Sequence, residues 1–142
     1  LEQAIPDIKL NIVGDNSAPS LATINKENIN FTGRLDSVEE MYNASRVFIA
    51  PTRFAAGIPH KIHEAAAKGL PSVTTALLAQ QLGWQDTKQL LVADTPEAYA
   101  AQCIKLYQDE KLWLDVRDAG LTAIAKDCSQ ETFRKNLAGL FT

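Results

Sequence analysis

The sequence is poor in cysteine, histidine and aromatic residues, and each shortage narrows what the chain can be. Its 142 residues hold two Cys, two His and 7% Phe, Trp and Tyr. Cys103 and Cys128 have no ligand-like spacing, and Cys103 shares a helical face with Tyr99, Ala100 and Tyr107, which reads as a buried reduced thiol. There is no run of 18 apolar residues, the length a membrane helix needs, so no membrane span is expected. The start, Leu1 to Pro6, lacks the basic region and long apolar stretch of a signal peptide. No basic run occurs, and the net charge is −3, which argues against nucleic acid as a partner. Gly-x-Gly-x-x-Gly, a Gly-Lys-Ser/Thr loop and Gly-x-Ser-x-Gly are all missing. Ordinary nicotinamide dehydrogenases, P-loop NTPases and serine hydrolases therefore fall away. The expected compartment is the cytoplasm.

What is present is ordinary for a globular chain: 46% hydrophobic and 22% charged residues, enough for one domain with its own core. Leu1 to Pro6 reads as the tail of a helix that begins outside this sequence. A strand over Lys9–Val13 closes at Gly14-Asp15-Asn16, and Ser17–Ile24 could hold a short helix with Pro19 in its first turn. A second strand, Ile29–Thr32, closes at Gly33-Arg34. Ser37-Val38-Glu39-Glu40 is a capping box, followed by Val38, Met41 and Tyr42 at helical spacing. Val47–Ala50, Ser72–Thr75 and Leu90–Ala93 are three further strands. Thr75 is placed to cap a short helix that Gly83 stops, and Thr95-Pro96 opens a long one carrying Tyr99, Cys103, Leu106 and Tyr107. A further helix covers Glu110 to Lys126. Ser129 caps a last one, with Phe133, Leu137 and Leu140 expected inside. Trp84 and Trp113 read as packing residues.

Strands alternating with helical segments argue for parallel pairing through right-handed crossovers, hence an α/β, Rossmann-like, doubly wound parallel sheet. Ligands of such sheets bind beyond the carboxyl ends of the strands. Those tips are Gly14-Asp15, Gly33-Arg34, Pro51-Thr52-Arg53, Thr74-Thr75 and Asp94, and all are polar or glycine-bearing.

The stretch Pro51–Thr75 concentrates the chemistry. A loop with Thr52, Arg53 and Gly57 leads to Pro59, suited to a first helical position, and an Ala-rich helix then runs to Lys68, with Gly69 and Pro71 stopping it. Free N–H groups and the positive dipole end at a helix start attract anions, phosphate above all. His60, Lys61 and Glu64 share one helical face. The bland reading is a solvated set of ion pairs that also takes in Lys68. The functional reading puts a diphosphate on Lys61 and the amides near Gly57, while Glu64 accepts hydrogen bonds from ribose hydroxyls. His60 and His63 with Glu64 are a poor metal set, because the histidines sit three apart and no third ligand is evident.

Leu10-Asn11-Ile12-Val13-Gly14, Ile29-Asn30-Phe31-Thr32-Gly33 and Val47-Phe48-Ile49-Ala50-Pro51 resemble successive strand ends in the nucleotide-sugar-binding C-terminal domain of GT-B glycosyltransferases. Gly57-Ile58-Pro59-His60-Lys61-Ile62-His63-Glu64-Ala65, followed by Lys68-Gly69-Leu70-Pro71-Ser72-Val73, is similar to the donor-site helix of the retaining group 1 (family-four) enzymes. The resemblance runs from Leu10 to Phe141. It implies that residues 1–142 are one donor-binding domain, a fragment of a two-domain glycosyltransferase whose N-terminal domain binds the acceptor. The substrate would be a UDP-, GDP- or ADP-sugar, with no metal or other cofactor, and peripheral membrane attachment could come through the absent domain.

By the same resemblance, Glu64 matches the second glutamate of a Glu-x7-Glu motif and holds the ribose. Gly57, Ile58, His60 and Lys61 face diphosphate and sugar. Gly14 and Gly33 lie near the nucleotide, Arg34 approaches the base, and Thr52 and Arg53 line the same lip. The first motif glutamate falls at position 56, where Ala56 stands. The family's diphosphate-clamping Arg and Lys follow a first strand that this sequence lacks, which leaves Lys61 and Arg53 as the basic candidates for catalysis. Two other readings stay open. One is a catalytically silent module of the same fold used for protein association, with Ala56 marking lost chemistry. The other is an unrelated Rossmann-like ligand or response-regulator domain, which would want more acid at the strand ends than Asp15 and Asp94 supply.

Overall fold

The computed structural model describes residues 1–15, 17–19, 21, 23–24 and 26–139. Two compact units divide the chain, Leu1–Ser45 and Arg46–Thr142. In the first unit, β1 (Leu10–Val13) pairs in parallel with β2 (Ile29–Gly33). Leu10 faces Ile29 and Ile12 faces Phe31, and the register then slips so that Val13 faces Gly33. Asn30 donates to Asn11 at 3.2 Å across one matched pair, so polar as well as apolar pairs agree on this alignment. Helix α1 (Glu39–Ala44) follows.

Two expectations for this unit need correction. Among the described residues between Ser17 and Ile24 there is no helix. Leu21 N–H bonds Ala18 O at 2.9 Å and Ile24 N–H bonds Leu21 O at 3.0 Å, which are turn bonds between residues three apart. Asp15 Oδ1 takes the Ser17 N–H at 3.0 Å, and a local side-chain acceptor of that kind competes with a helix too short to nucleate by itself. The capping box is also unmade: Ser37 Oγ accepts from Glu39 N at 3.3 Å, not from Glu40. The Gly14-Asp15-Asn16 turn falls partly on a residue outside those described.

In the second unit, β3 (Phe48–Ala50), β4 (Ser72–Thr74) and β5 (Leu91–Val92) form a parallel sheet in that order. Between them run α2 (His60–Ala67) and α3 (Ala76–Leu82). After them come α4 (Pro96–Gln108), α5 (Glu110–Asp127) and α6 (Gln130–Gly139). This is the parallel α/β winding that the alternation implies. Side-chain alternation along the strands feeds two clusters. Leu90 joins Ala50, Ile62, Ala66, Leu78, Ala79 and Trp84. Its neighbour Leu91 joins Val73, Cys103, Leu106 and Val116. Each fully buried Leu, Ile or Val contributes about 1.5–3 kcal/mol. Cys103 is buried and reduced, and burial pushes its thiol up to about 11, so it packs without reacting.

The helix ends follow local chemistry. At the C-terminus of α2, Leu70 N–H bonds Ala65 O and Gly69 N–H bonds Ala66 O, both at 2.9 Å, a complete Schellman motif with Gly69 at φ +70°. Thr95 caps Ala98 N, Asp109 caps Leu112 N and Ser129 caps Thr132 N. Pro59 sits one residue before α2 rather than inside it, because His60 N–H already turns back onto Ile58 O at 2.9 Å. Phe133 and Leu137, expected inside, are 67% and 43% exposed: on α6 they form an isolated pair four residues apart, too small a stripe to bury the helix. Leu140 lies outside the described residues. Trp84 is buried, with Nε1 donating to Asp127 Oδ2 at 3.2 Å. Trp113 Nε1 donates to Arg46 O at 2.7 Å while the Arg46 guanidinium sits 5.7 Å from its ring. Both tryptophans are packing residues.

Candidate functional site

Parallel pairing puts the carboxyl ends of β3 and β4 on one edge of the sheet. From there the loop 51–59 leads into α2, and Thr75 leads into α3. β3 ends at Ala50, and Pro51 follows it with its missing N–H on the side of the strand away from β4. Thr52 then becomes the meeting point of the edge. Its carbonyl accepts from Thr75 Oγ1 at 2.8 Å, and its hydroxyl accepts from Lys61 Nζ at 3.1 Å. Gln81 Nε2, from α3, holds the loop by donating to Ala55 O at 3.1 Å.

Thr75 was expected to cap α3 with its side chain, and it does not. Its hydroxyl is committed to Thr52, and the α3 N-terminus is served instead by Asp94 Oδ1, which accepts from Ala76 N at 3.0 Å. A carboxylate from the end of the next strand can reach there only because β4 and β5 are adjacent. Helices α4, α5 and α6 carry both a side-chain cap and a first-turn acid. Like α3, helix α2 has no side-chain cap from its N-cap residue and no acid in its first turn, but among the described residues no carboxylate is recorded at its start as Asp94 is at that of α3. Its opening instead carries Lys61, exposed alongside His60 and, in the preceding loop, Arg53. From Glu40 to Glu64 the sequence contains no acidic residue. An N-terminal helix end with its dipole uncompensated, flanked by cations, is a seat for an anion.

Glu64 lies exposed one turn further along α2, on the side of His60 and Lys61, while Ile62, Ala65 and Ala66 on the other side are buried. The two histidines part company. His60 is exposed, whereas the half-buried His63 packs against Trp84, with ring centroids 5.5 Å apart and the planes tilted by 48°. Burial lowers the His63 pKa, Asp127 opposes the shift and His60 adds to it. His63 therefore belongs to the packing of α2, and among the described residues no group of three His, Cys, Asp or Glu could hold a metal ion. Phe54 and Ile58 flank the lip at 91% and 59% exposure.

Of the residues that sequence singled out, Thr52, Arg53, Gly57, Ile58, His60, Lys61 and Glu64 lie on this loop and helix. Gly14, Gly33 and Arg34 lie in the first unit. There Gly14 N–H donates to Gly33 O at 2.8 Å, so the two strand-end glycines are side by side. Both have positive φ, +126° and +70°, and an added Cβ would meet nothing within 4 Å. Conformation, not crowding, therefore requires glycine there. Sequence reading missed Gln81, and it missed the tie between Thr75 and Thr52. Neither carries a sequence signal, since both are contacts between segments far apart in the chain.

Residues 1–109 match the family described as "Glycosyl transferases group 1". No curated protein matches the chain. Among solved structures, TarM superposes with a TM-score of 0.83 at 13% identity, over 99% of this chain and 30% of that one. HepE from Anabaena, crystallised with UDP-glucose, gives 0.80 at 14% identity, over 98% and 42%. A glycosyltransferase from Rickettsia africae gives 0.74 at 17%, over 93% and 39%. The chain thus spans less than half the length of these three proteins, and at such identities the likeness speaks for the fold.

Proposed function

Because the chain belongs to the group 1 glycosyl transferases, we propose that it is the donor-binding C-terminal domain of a retaining GT-B enzyme. The observation that carries this reading is the start of α2, uncapped by any side chain, with Lys61 held on Thr52 at the end of β3. The nucleoside diphosphate of the sugar donor would lie there, on the helix amides and Lys61, with Arg53 from the loop as the second cation. Glu64, one turn deeper, would accept the vicinal ribose hydroxyls. Catalysis would be electrostatic and metal-independent: as the glycosidic bond to the donor phosphate breaks, the helix dipole, amides and Lys61 stabilise the departing diphosphate. The acceptor and its proton belong to the other domain of the enzyme. HepE's complex with UDP-glucose makes UDP the first nucleotide to try.

The test is titration of the protein in its full natural length with UDP, GDP and ADP, beside its Glu64→Ala variant. Binding of one of them with clear loss in the variant is expected. Equal affinity for both proteins removes the ribose assignment, and no binding at all removes the donor site. A second reading, a silent module used for protein association, is favoured by two observations: Ala56 at the first motif position, and the exposed Phe54 and Ile58 beside it. It gains if nucleotides fail to bind while Phe54→Ser abolishes association with another protein.

A further inference from the structure

We infer that Tyr99, on the first turn of α4, is a positioning residue for the α2 lip, which it never touches. This rests on the donor-site reading of α2. In the β3–β4 ladder Ile49 faces Val73 and Ala50 faces Thr74, so the last N–H of β3, on Ala50, points toward the Val73 carbonyl. The Tyr99 hydroxyl engages both groups: it accepts from Ala50 N–H at 2.9 Å and donates to Val73 O. At the other end of the same pair, Phe48 N–H bonds Pro71 O directly at 2.9 Å. The final rung alone is thus shared with a side chain from a helix outside the sheet.

Immediately beyond that rung lies the lip itself. Two residues after Ala50 is Thr52, two after Val73 is Thr75, and these are bonded to each other at 2.8 Å. Thr52 in turn holds Lys61. The hydroxyl of Tyr99 therefore fixes how far apart β3 and β4 stand where the lip begins, and through Thr52 it fixes where the Lys61 ammonium is placed. The ring is anchored for this task. It packs on the Val73, Leu91, Cys103, Leu106 and Val116 cluster, and its own N–H caps back onto Thr95 O at 2.8 Å. Burial raises the phenol pKa, the largest influence on it, so the hydroxyl stays protonated and able to donate at any physiological pH.

The experiment uses the full-length protein and its Tyr99→Phe variant, which keeps the ring and removes only the oxygen. Two measurements are made: UDP affinity, and amide hydrogen exchange of residues 50–57 without nucleotide. Loss of the hydroxyl should weaken UDP binding about tenfold, the scale of a small misplacement in a binding site, and should speed exchange in residues 50–57. With Thr52→Val added, the combined loss should fall short of the product of the single losses, because both act through one path. Cys103→Ala is the control. It softens the same cluster but leaves the hydroxyl in place, and UDP affinity should hold. The inference is overturned if Tyr99→Phe leaves exchange and affinity unchanged, if its loss multiplies independently with that of Thr52→Val, or if Cys103→Ala weakens UDP equally. Should the wild-type protein bind no nucleoside diphosphate, the donor reading fails by itself. Exchange in residues 50–57 then decides Tyr99 alone: faster in the variant supports it, unchanged overturns it.

Discussion

Replacing Lys61 by Met separates the two roles a residue at this position could play. The Lys61 side chain is exposed and makes a hydrogen bond of 3.1 Å to Thr52 Oγ1. Surface changes of this kind typically move stability by no more than about 0.5 kcal/mol, so the melting temperature should hardly shift. Binding is another matter if a diphosphate lies at the start of α2. A hydrogen bond to a charged group contributes about 1.5–3 kcal/mol, which corresponds to roughly a 10- to 150-fold rise in Kd. Binding should not vanish, since the helix dipole and amides remain and are worth about 0.3–1 kcal/mol for an anion. Removing one cation should also flatten the dependence of Kd on salt. Calorimetric titration with UDP at two ionic strengths, with a thermal melt of each protein, reads all three quantities. An unchanged Kd would refute the diphosphate seat. A large fall in melting temperature would instead show Lys61 to be a structural residue.

Ile62, the next residue, should do the reverse. It is fully buried in the cluster with Trp84 and Leu78, so Ile62→Ala should cost about 2–5 kcal/mol of stability, read by urea unfolding. Gly69→Ala places a side chain at φ +70° with Arg117 Nε 3.2 Å from the new Cβ. The left-handed conformation should cost about 1–2 kcal/mol, seen as a lower urea midpoint at an unchanged slope. His63 gives a pH dependence. Its folded pKa lies below the usual 6.5, so the unfolded chain binds more protons. Its contribution is fully present above pH 6.5 and is lost as pH falls from there to the folded value. Urea midpoints between pH 5 and 8 should decline on the acid side, and His63→Gln should remove that part of the slope.

Sequence by itself determined the elements whose causes are local. Thr95-Pro96, Asp109 and Ser129 open α4, α5 and α6 because a side-chain acceptor needs to reach only two or three residues along its own chain. Gly69 and Gly83 stop α2 and α3 for an equally local reason, the left-handed turn. The alternation of strands and helices gave the parallel winding, and Lys61 and Glu64 share a helix face by spacing alone. Where the local signal was weak it misled: Ser17–Ile24 lacked enough residues to nucleate a helix, and the α6 pair of Phe133 and Leu137 had too little apolar company to be buried. Tertiary structure alone decided the rest. Thr75 gave its hydroxyl to Thr52, 23 residues away, and left Asp94 to serve α3. Tyr99 reached across 49 residues to the end of β3. Such bonds depend on which strands become neighbours, and that is settled by burying Val73 with Leu91 in one cluster and Ala50 with Leu90 in the other, rather than by any residue's preference for its own neighbours.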